Sequence, residues 1–211
     1  MKRLTCCLLL FGFLSCQNKQ NNQSKSTGDS VVKTPKQETK IISDSAALSL
    51  SKEILSAAKN KEYKKFASFI DPGAGIRFSP YGYIDTEGDK KFMPEQFLNF
   101  TTDKKTTKFI WGVFDGSGDK IILTVDEYFK KFVYDVDFLN APVISLNKSV
   151  SKGNSLNNID SIYKNCVYTE FYFPGFDKKY EGMDWQSIKL VFKKENNSLY
   201  LIAVIHDQWT I

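Results

Sequence analysis

Beyond residue 43, the apolar positions first recur at helical spacing. A first helix is predicted by Ala47, Leu50, Ile54, Ala57 and Ala58, which fall on one face at three- and four-residue intervals. Residues 43–45 offer N-cap side chains at its start. A second short helix is predicted by Tyr63, Phe66, Ala67 and Ile70. The sequence Asp71-Pro72-Gly73 ends it, because proline and glycine cannot continue a helix at low cost.

Two further helices carry explicit start signals. Pro94 stands at a favourable first position, with Phe97, Leu98 and Phe100 on the apolar side. Thr124 and Glu127 form a capping box that opens a helix running through Val133. The buried face of that helix is predicted to comprise Val125, Tyr128, Phe129, Phe132 and Val133.

The remaining apolar runs are short and predict strands. They are Ile76–Ser79, Phe109–Phe114, Ile121–Leu123, Val143–Leu146, Cys166–Phe173, Trp185–Lys194 and Leu199–Gln208. Asn196-Asn197-Ser198 predicts a hairpin between the last two. The last strand is apolar at consecutive positions, which favours a central strand covered on both faces. Residues 149–164 are polar and predict a loop.

Helices followed by a series of antiparallel strands predict an α+β layer architecture. The order of elements over residues 43–211 resembles the NTF2-like (cystatin-like) superfamily. That resemblance implies N-terminal helices packed in the concavity of a strongly bent antiparallel sheet, with a cone-shaped pocket between them. Residues 149–164 form a longer connection than a compact member of that superfamily needs, and other folds with a curved antiparallel sheet stay open.

The N-terminus has the pattern of an export signal. Lys2 and Arg3 precede an apolar run from Leu4 to Leu14, which is shorter than the roughly 20 residues that span a bilayer. Residues 13–16, Phe-Leu-Ser-Cys, resemble the lipobox of bacterial lipoproteins, although Phe13 stands where Leu is usual. The resemblance implies that residues 1–15 are cleaved and that Cys16 is acylated with chains such as palmitate. An ordinary signal peptide with a chance cysteine is the alternative.

Residues 16–42 predict a solvated tether, because they contain almost no large apolar side chain. In lipoproteins, Asp after the acylated Cys often marks retention at the inner membrane. Gln17 stands there, so an outer-membrane location in the cell envelope is expected, with the leaflet left open. The tether lysines either contact anionic headgroups or serve as a solubilising spacer.

The net charge of +5 lies in the signal and the tether, since acidic and basic side chains balance over residues 43–211. A neutral domain does not favour a nucleic-acid partner. Arg77 is the only arginine after the signal, and this scarcity argues against phosphate-handling chemistry.

His206 is the only histidine in the chain and the weak candidate for a catalytic residue, as a general base. Asp207 does not pair with it by adjacency, because neighbouring strand residues face opposite sides. The alternative interpretation is a structural histidine bonded to the backbone. No catalytic assignment is carried over from the superfamily, because no family motif matches residue by residue.

No metal or other cofactor is expected. After acylation of Cys16, only His206 and Cys166 remain as soft ligands, too few for structural zinc. Cys166 is interpreted as a buried core thiol. Residues 115–119 place oxygens at alternate positions, but Lys120 and Asp126 stand where a calcium-binding EF-hand loop needs Gly and Glu, so a plain turn is favoured.

Aromatic and charged residues near strand ends suggest a ligand pocket. The predicted ligand-binding set is Arg77, Tyr81, Trp111, Asp115, Tyr134, Trp185, His206 and Trp209, with Tyr83 and Asp135 close by in the same loops. For each aromatic residue, packing in the core is the competing interpretation.

Three functions stay open. The favoured one is a membrane-tethered, non-catalytic module that binds a small molecule, a glycan or a protein. A structural or assembly factor of the envelope comes second and predicts a flat apolar patch. An NTF2-like enzyme, in which His206 and a carboxylate move protons, comes third.

Overall fold

The computed structural model describes residues 44–152 and 156–210. The predicted signal at 1–15, the lipidation site Cys16 and the tether at 16–42 lie outside the described residues. The described helices are α1 Asp44–Lys59, α2 Tyr63–Ser68, α3 Pro94–Thr101, α4 Val125–Phe132 and α5 Ile159–Ile162. Two short 3-10 helices span Phe138–Asn140 and Lys178–Tyr180.

Eight strands accompany them. They are β1 Ile76–Ser79, β2 Lys90–Phe92, β3 Phe109–Val113, β4 Lys120–Leu123, β5 Val143–Leu146, β6 Val167–Phe173, β7 Gln186–Glu195 and β8 Ser198–Gln208. Six of the strands form one open sheet in the order β2-β1-β8-β7-β6-β5, and β3 and β4 form a separate two-stranded hairpin. The chain is therefore a mixed α+β protein.

The large sheet is mostly antiparallel, and β1 against β8 is the parallel exception among the described strands. An antiparallel sheet was expected, and the described pairs confirm it except for this one. The reason lies in the topology: β1 pairs antiparallel with the next strand, β2, on one side and with the last strand, β8, on the other, where the two strands run in the same direction. The strong bend of the sheet stays a prediction.

Local sequence signals account for several boundaries. The Thr124 hydroxyl accepts the Glu127 N–H at 3.2 Å, and the Glu127 carboxylate accepts the Thr124 N–H at 2.7 Å, so the predicted capping box is present. Asn196 and Asn197 have φ of 46° and 63°, the left-handed pair that closes a two-residue hairpin. Both the capping box and the hairpin were predicted from the sequence.

Strand β8 is covered on both faces, as its continuous apolar run predicts. Its side chains Leu201 and Val204 belong to the core under the helices. Ala203 and Ile205 belong to a second cluster on the opposite face, together with Ile84 and Ile159. That second face is covered by the segments after β1 and before β6.

The helix-side core is built largely of aromatic rings. Phe78 packs against Phe97, Trp111 and Tyr128, with ring centroids 6.2, 5.7 and 5.7 Å apart. These side chains are all fully buried. The space between helices and sheet, where the superfamily resemblance implies a cone-shaped pocket, is therefore occupied by side chains at this point.

Candidate functional site

A groove of about 760 Å³ lies between the segment after β1 and the β3–β4 hairpin. One wall is formed by Tyr81, Tyr83 and Asp89, and the other by Ile110, Val113 and residues 114–116, 118 and 120 of the hairpin. Leu156 also lines the groove. The volume lies within the range of small-molecule sites, about 300–1,000 Å³.

Exposed apolar side chains are concentrated on this groove. Tyr83, Ile110, Val113 and Leu156 are 55%, 48%, 51% and 76% exposed, and all four line it. Single exposed apolar residues are normal on protein surfaces, but a contiguous set around one concavity marks a binding surface. These side chains therefore give the groove an exposed apolar surface against which a ligand can pack.

The position of the hairpin is fixed from its inner side. Trp111 is fully buried. It stacks on Tyr128 with centroids 3.9 Å apart, and its Nε1–H donates to the Leu123 carbonyl at 2.8 Å. Because side chains alternate along a strand, the neighbours of Trp111 face outwards. Ile110 is thereby presented to the groove.

Gly112 lets the hairpin approach the segment after β1. Its φ is +124°, a conformation that side chains rarely adopt, and a Cβ there would lie 3.4 Å from Pro80 Cγ. Pro80 and Gly112 both line the groove. A side chain at residue 112 would therefore strain the backbone and crowd this wall.

Asp89 is a buried carboxyl group among the lining residues and is 8% exposed. Burial raises its pKa to about 6, against the lowering effect of the Ser79 hydroxyl and of Arg77. Its Oδ2 accepts hydrogen bonds from the Ser79 hydroxyl and from the Asp85 N–H, the latter at 3.1 Å. A carboxyl group with a perturbed pKa in a cleft is a recognised mark of a functional site.

Tyr128 adds a second polar group beside Asp89. Its hydroxyl is buried and has no hydrogen-bond partner among the described residues. Burial raises its pKa well above the usual value, and the nearby Asp89 and Tyr81 raise it further. Asp89 lines the groove together with the charged residues Asp85, Asp115 and Lys120, whereas Tyr128 lies behind it in the core.

Two predicted site residues, Tyr81 and Asp115, line the groove. The Asp115 carboxylate accepts the Thr210 hydroxyl at 2.5 Å, which ties the hairpin turn to the end of the chain. Tyr81 packs edge-on against Phe132, with centroids 6.0 Å apart. Residues 115–119 form the turn of the β3–β4 hairpin, closed by the Phe114 N–H donating to the Asp119 carbonyl at 2.8 Å.

His206 is fully buried rather than exposed in the groove. Its Nδ1 lies 3.1 Å from the Pro80 carbonyl oxygen, and its Nε2 lies 3.2 Å from Asp135 Oδ2. Both partners are acceptors, and a neutral imidazole carries a single N–H, so only the imidazolium form donates to both. The ring packs edge-on against Phe132 at 5.5 Å. His206 therefore joins β8 to the segment after β1 and to the region after α4.

The other predicted site residues lie elsewhere. Trp111 is in the core. Arg77 donates to the carbonyls of Asp85 and Thr86, each at 3.0 Å, and the Tyr134 hydroxyl donates to Asp137. Trp185 and Trp209 line a different concavity. The eight predicted residues do not converge on one cavity.

Sequence reasoning did not single out Asp89, Ile110 and Val113. Asp89 directly precedes β2, a three-residue strand that sequence reasoning also missed. A signal for Ile110 was present, since Ile110 and Ile122 alternate with the buried Trp111 and Ile121. Apolar residues on both faces of a two-stranded hairpin imply that one face is exposed or covered by a ligand.

Cys166 was expected to lie in a strand, but it does not. It precedes β6, is partly exposed and is a free thiol. Among residues 44–152 and 156–210, no group of three or more His, Cys, Asp and Glu side chains is placed to hold a metal ion. Within the same ranges, no helix has both the length and the apolar character required to cross a bilayer.

No protein-family model and no curated protein matches this sequence. Among solved structures, Aln2 from a Streptomyces species is 9% identical; the match covers 76% of this chain and 86% of Aln2, with a TM-score of 0.32. A variant of Rd1NTF2_05 is 14% identical, with 76% of this chain and 95% of that chain covered and a TM-score of 0.29. With superpositions this weak, the fold statement rests on the strand order of the chain itself.

Proposed function

We propose that this protein is a lipid-anchored protein of the cell envelope whose NTF2-like domain binds a small apolar molecule without transforming it. The observation that supports the binding role most directly is the clustering of Tyr83, Ile110, Val113 and Leu156 around the groove. A few polar groups, Asp89 foremost, would orient a ligand that is otherwise held by apolar contact.

The position of His206 supports a non-catalytic role. A general base must come within hydrogen-bond reach of the proton that it removes. His206 is fully buried, and both ring nitrogens face protein oxygens. Its contacts are those of a structural residue.

A fluorescence titration with N-phenyl-1-naphthylamine, a neutral apolar dye, tests the binding role. The full-length protein is expected to enhance the dye's emission saturably, and Ile110→Asp should weaken binding by about tenfold, because it places a charge on the apolar wall. Ile122→Asp is the matched control: Ile122 pairs with Ile110 across the hairpin and is 50% exposed, but it is not among the groove-lining residues. Equal losses in the two variants, or no saturable binding, would contradict the proposal.

The anchor is tested separately. The lipobox-like sequence ending at Cys16 supports cleavage after Ser15 and acylation of Cys16. The mass of the native protein purified from membranes should correspond to a chain beginning at Cys16 with added acyl groups, and Cys16→Ser should abolish the acylation. An intact Met1, or a cleaved but unacylated chain, would refute the anchor.

An enzyme is the second candidate, because His206 and Asp135 form a pair with 3.2 Å between Nε2 and Oδ2. A ligand copurified with the protein can be identified by mass spectrometry and then incubated with the wild type and with His206→Ala. Chemical change of the ligand by the wild type alone would favour this candidate. Full turnover by the variant, or no turnover by either protein, would reject it.

A further inference from the structure

A second concavity of about 300 Å³ lies where β7 begins and β8 ends. Gln186 and Gln208 are paired across the two strands, and the Trp209 N–H donates to the Trp185 carbonyl at 3.2 Å. These four residues line the concavity together with Phe176 and Met183. We refer to it as the tryptophan pocket.

Three consecutive residues of this pocket carry side-chain polar atoms that are buried and lack a hydrogen-bond partner in the described part of the chain. They are Asp184 Oδ1, Trp185 Nε1 and Gln186 Oε1. The Trp185 side chain is almost wholly buried, at 2% exposure. An unpaired buried polar group costs about 1–3 kcal/mol. Because each of the three atoms belongs to a residue that lines the pocket, they indicate that a partner is missing there.

The chemistry of these atoms defines the partner. The indole N–H is a donor only, while the amide and carboxylate oxygens are acceptors. A complementary ligand must therefore both accept and donate within a small space. A hydroxyl group does both, and several hydroxyl groups on one small ring match the set.

The apolar rim of the pocket suits the same kind of ligand. Phe176 and Met183 are 53% and 49% exposed. The C–H bonds of a sugar ring carry partial positive charge and pack favourably on the negative face of an aromatic ring. The three polar atoms are covered from water, and Met183 gives the lining of the pocket one flexible, adaptable side chain.

The rim loop is held in a defined conformation. Asp184 Oδ2 accepts the N–H groups of Phe176 and Asp177 at 3.0 and 2.8 Å, which fixes Phe176 above the pocket. Gly175 has φ +151°, and a Cβ there would lie 2.9 Å from Asp184 Oδ1. Glycine is therefore required for this close approach.

The charge and the volume of the tryptophan pocket further restrict the class of ligand that fits it. No cationic side chain is among the described residues that line the pocket, and anionic ligands are usually bound by Arg or Lys. A volume of about 300 Å³ is at the lower end of ligand pockets. From these observations we infer that the tryptophan pocket binds one neutral sugar ring of a glycan.

An array of neutral, sialylated and sulfated saccharides, probed with the labelled full-length protein, tests this inference. The wild type should bind neutral saccharides. Phe176→Ala should reduce that binding about tenfold through loss of the stacking face, and Trp185→Phe should reduce it through loss of the indole donor while keeping an aromatic ring. Tyr180→Ala is the matched control, because Tyr180 is an exposed aromatic residue, at 46%, outside the pocket lining.

Ile110→Asp separates this inference from the apolar groove, since it should leave saccharide binding unchanged. The inference is overturned if the folded wild type binds no saccharide or only charged ones. Unchanged binding by Phe176→Ala, or equal losses in Phe176→Ala and Tyr180→Ala, would also overturn it.

Discussion

Replacement of Lys189 by alanine should destabilise the fold severely. Lys189 lies between two carboxylates on the sheet face away from α1–α4: its Nζ is 3.0 Å from Glu170 Oε1 and 3.7 Å from Asp207 Oδ2. The side chains of Lys189 and Glu170 are fully buried. Lys189→Ala would leave two buried carboxylates close together without their counter-ion.

The magnitude follows from the burial of the group. Removing one partner of a buried ion pair costs about 3–5 kcal/mol, because the remaining charge is uncompensated. An exposed pair contributes about 0–1 kcal/mol. Lys65→Ala is therefore the control: Lys65 lies 3.7 Å from Glu62, and both side chains are about half exposed. A loss of this size is a large part of the roughly 5–15 kcal/mol that stabilises a typical domain.

Urea denaturation followed by tryptophan fluorescence measures both variants. Lys189→Ala should lower the free energy of unfolding several times more than Lys65→Ala, without a change in slope. Glu170→Gln/Lys189→Met should recover part of the loss, because it removes both charges of the closer pair. A loss below about 1 kcal/mol for Lys189→Ala would refute the reasoning.

The same ion pair predicts the dependence of stability on pH. Burial tends to raise the pKa of Glu170, but Lys189 and the donors of Ser151 and Val150 outweigh it, so the pKa lies below its usual 4.5. When the pKa of a group is lower in the folded state than in the unfolded state, the group stabilises the fold at pH values above its unfolded-state pKa. This stabilisation is lost as the pH falls through the folded-state pKa. The wild type should therefore lose stability as pH falls below about 4.5. Lys189→Ala should lack this acid loss, because without Lys189 burial favours the protonated form of the Glu170 carboxyl group.

Three further predictions concern other contacts. Thr124→Ala removes the acceptor of the Glu127 N–H and should cost about 1 kcal/mol in urea denaturation; no loss would contradict a role for the cap. His206→Leu leaves the Pro80 carbonyl and Asp135 without their ring partner, and it should lower the free energy of unfolding by about 1–3 kcal/mol; a thermal midpoint equal to that of the wild type would contradict this role. Burial raises the pKa of Asp89 to about 6. Its contribution to stability is therefore present at pH values below its unfolded-state pKa and is lost as the pH rises through 6. Asp89→Asn should show no such loss between pH 4 and 7, and identical pH profiles would count against the raised pKa.

The sequence predicted those elements whose signals are local. Thr124 with Glu127, Pro94, and the Asn196–Asn197 turn each act within a few residues, and the structure has the corresponding boundaries. Strand β2 and the parallel partner of β1 were missed because their pairing joins segments far apart in the chain. A three-residue strand has too few positions for a pattern of alternation.

The candidate sites show the same difference between features with a local sequence signal and features that depend on distant segments. The sequence indicated aromatic residues near strand ends, and Tyr81, Trp185 and Trp209 do line concavities. It could not separate them from Trp111, which sits in the core because Gly112 and Ile110 take the outward positions of β3. The altered pKa of Asp89 depends on burial by distant segments and has no local signature in the sequence.

Hydrogen–deuterium exchange of the full-length protein, with and without N-phenyl-1-naphthylamine, tests most directly whether the groove binds an apolar ligand. Bound dye should slow the exchange of amides in residues 80–89 and 110–118, which form the two walls, and leave residues 63–68 unaffected. Protection confined to residues 63–68 or 183–186, or no protection at saturating dye, would contradict the account.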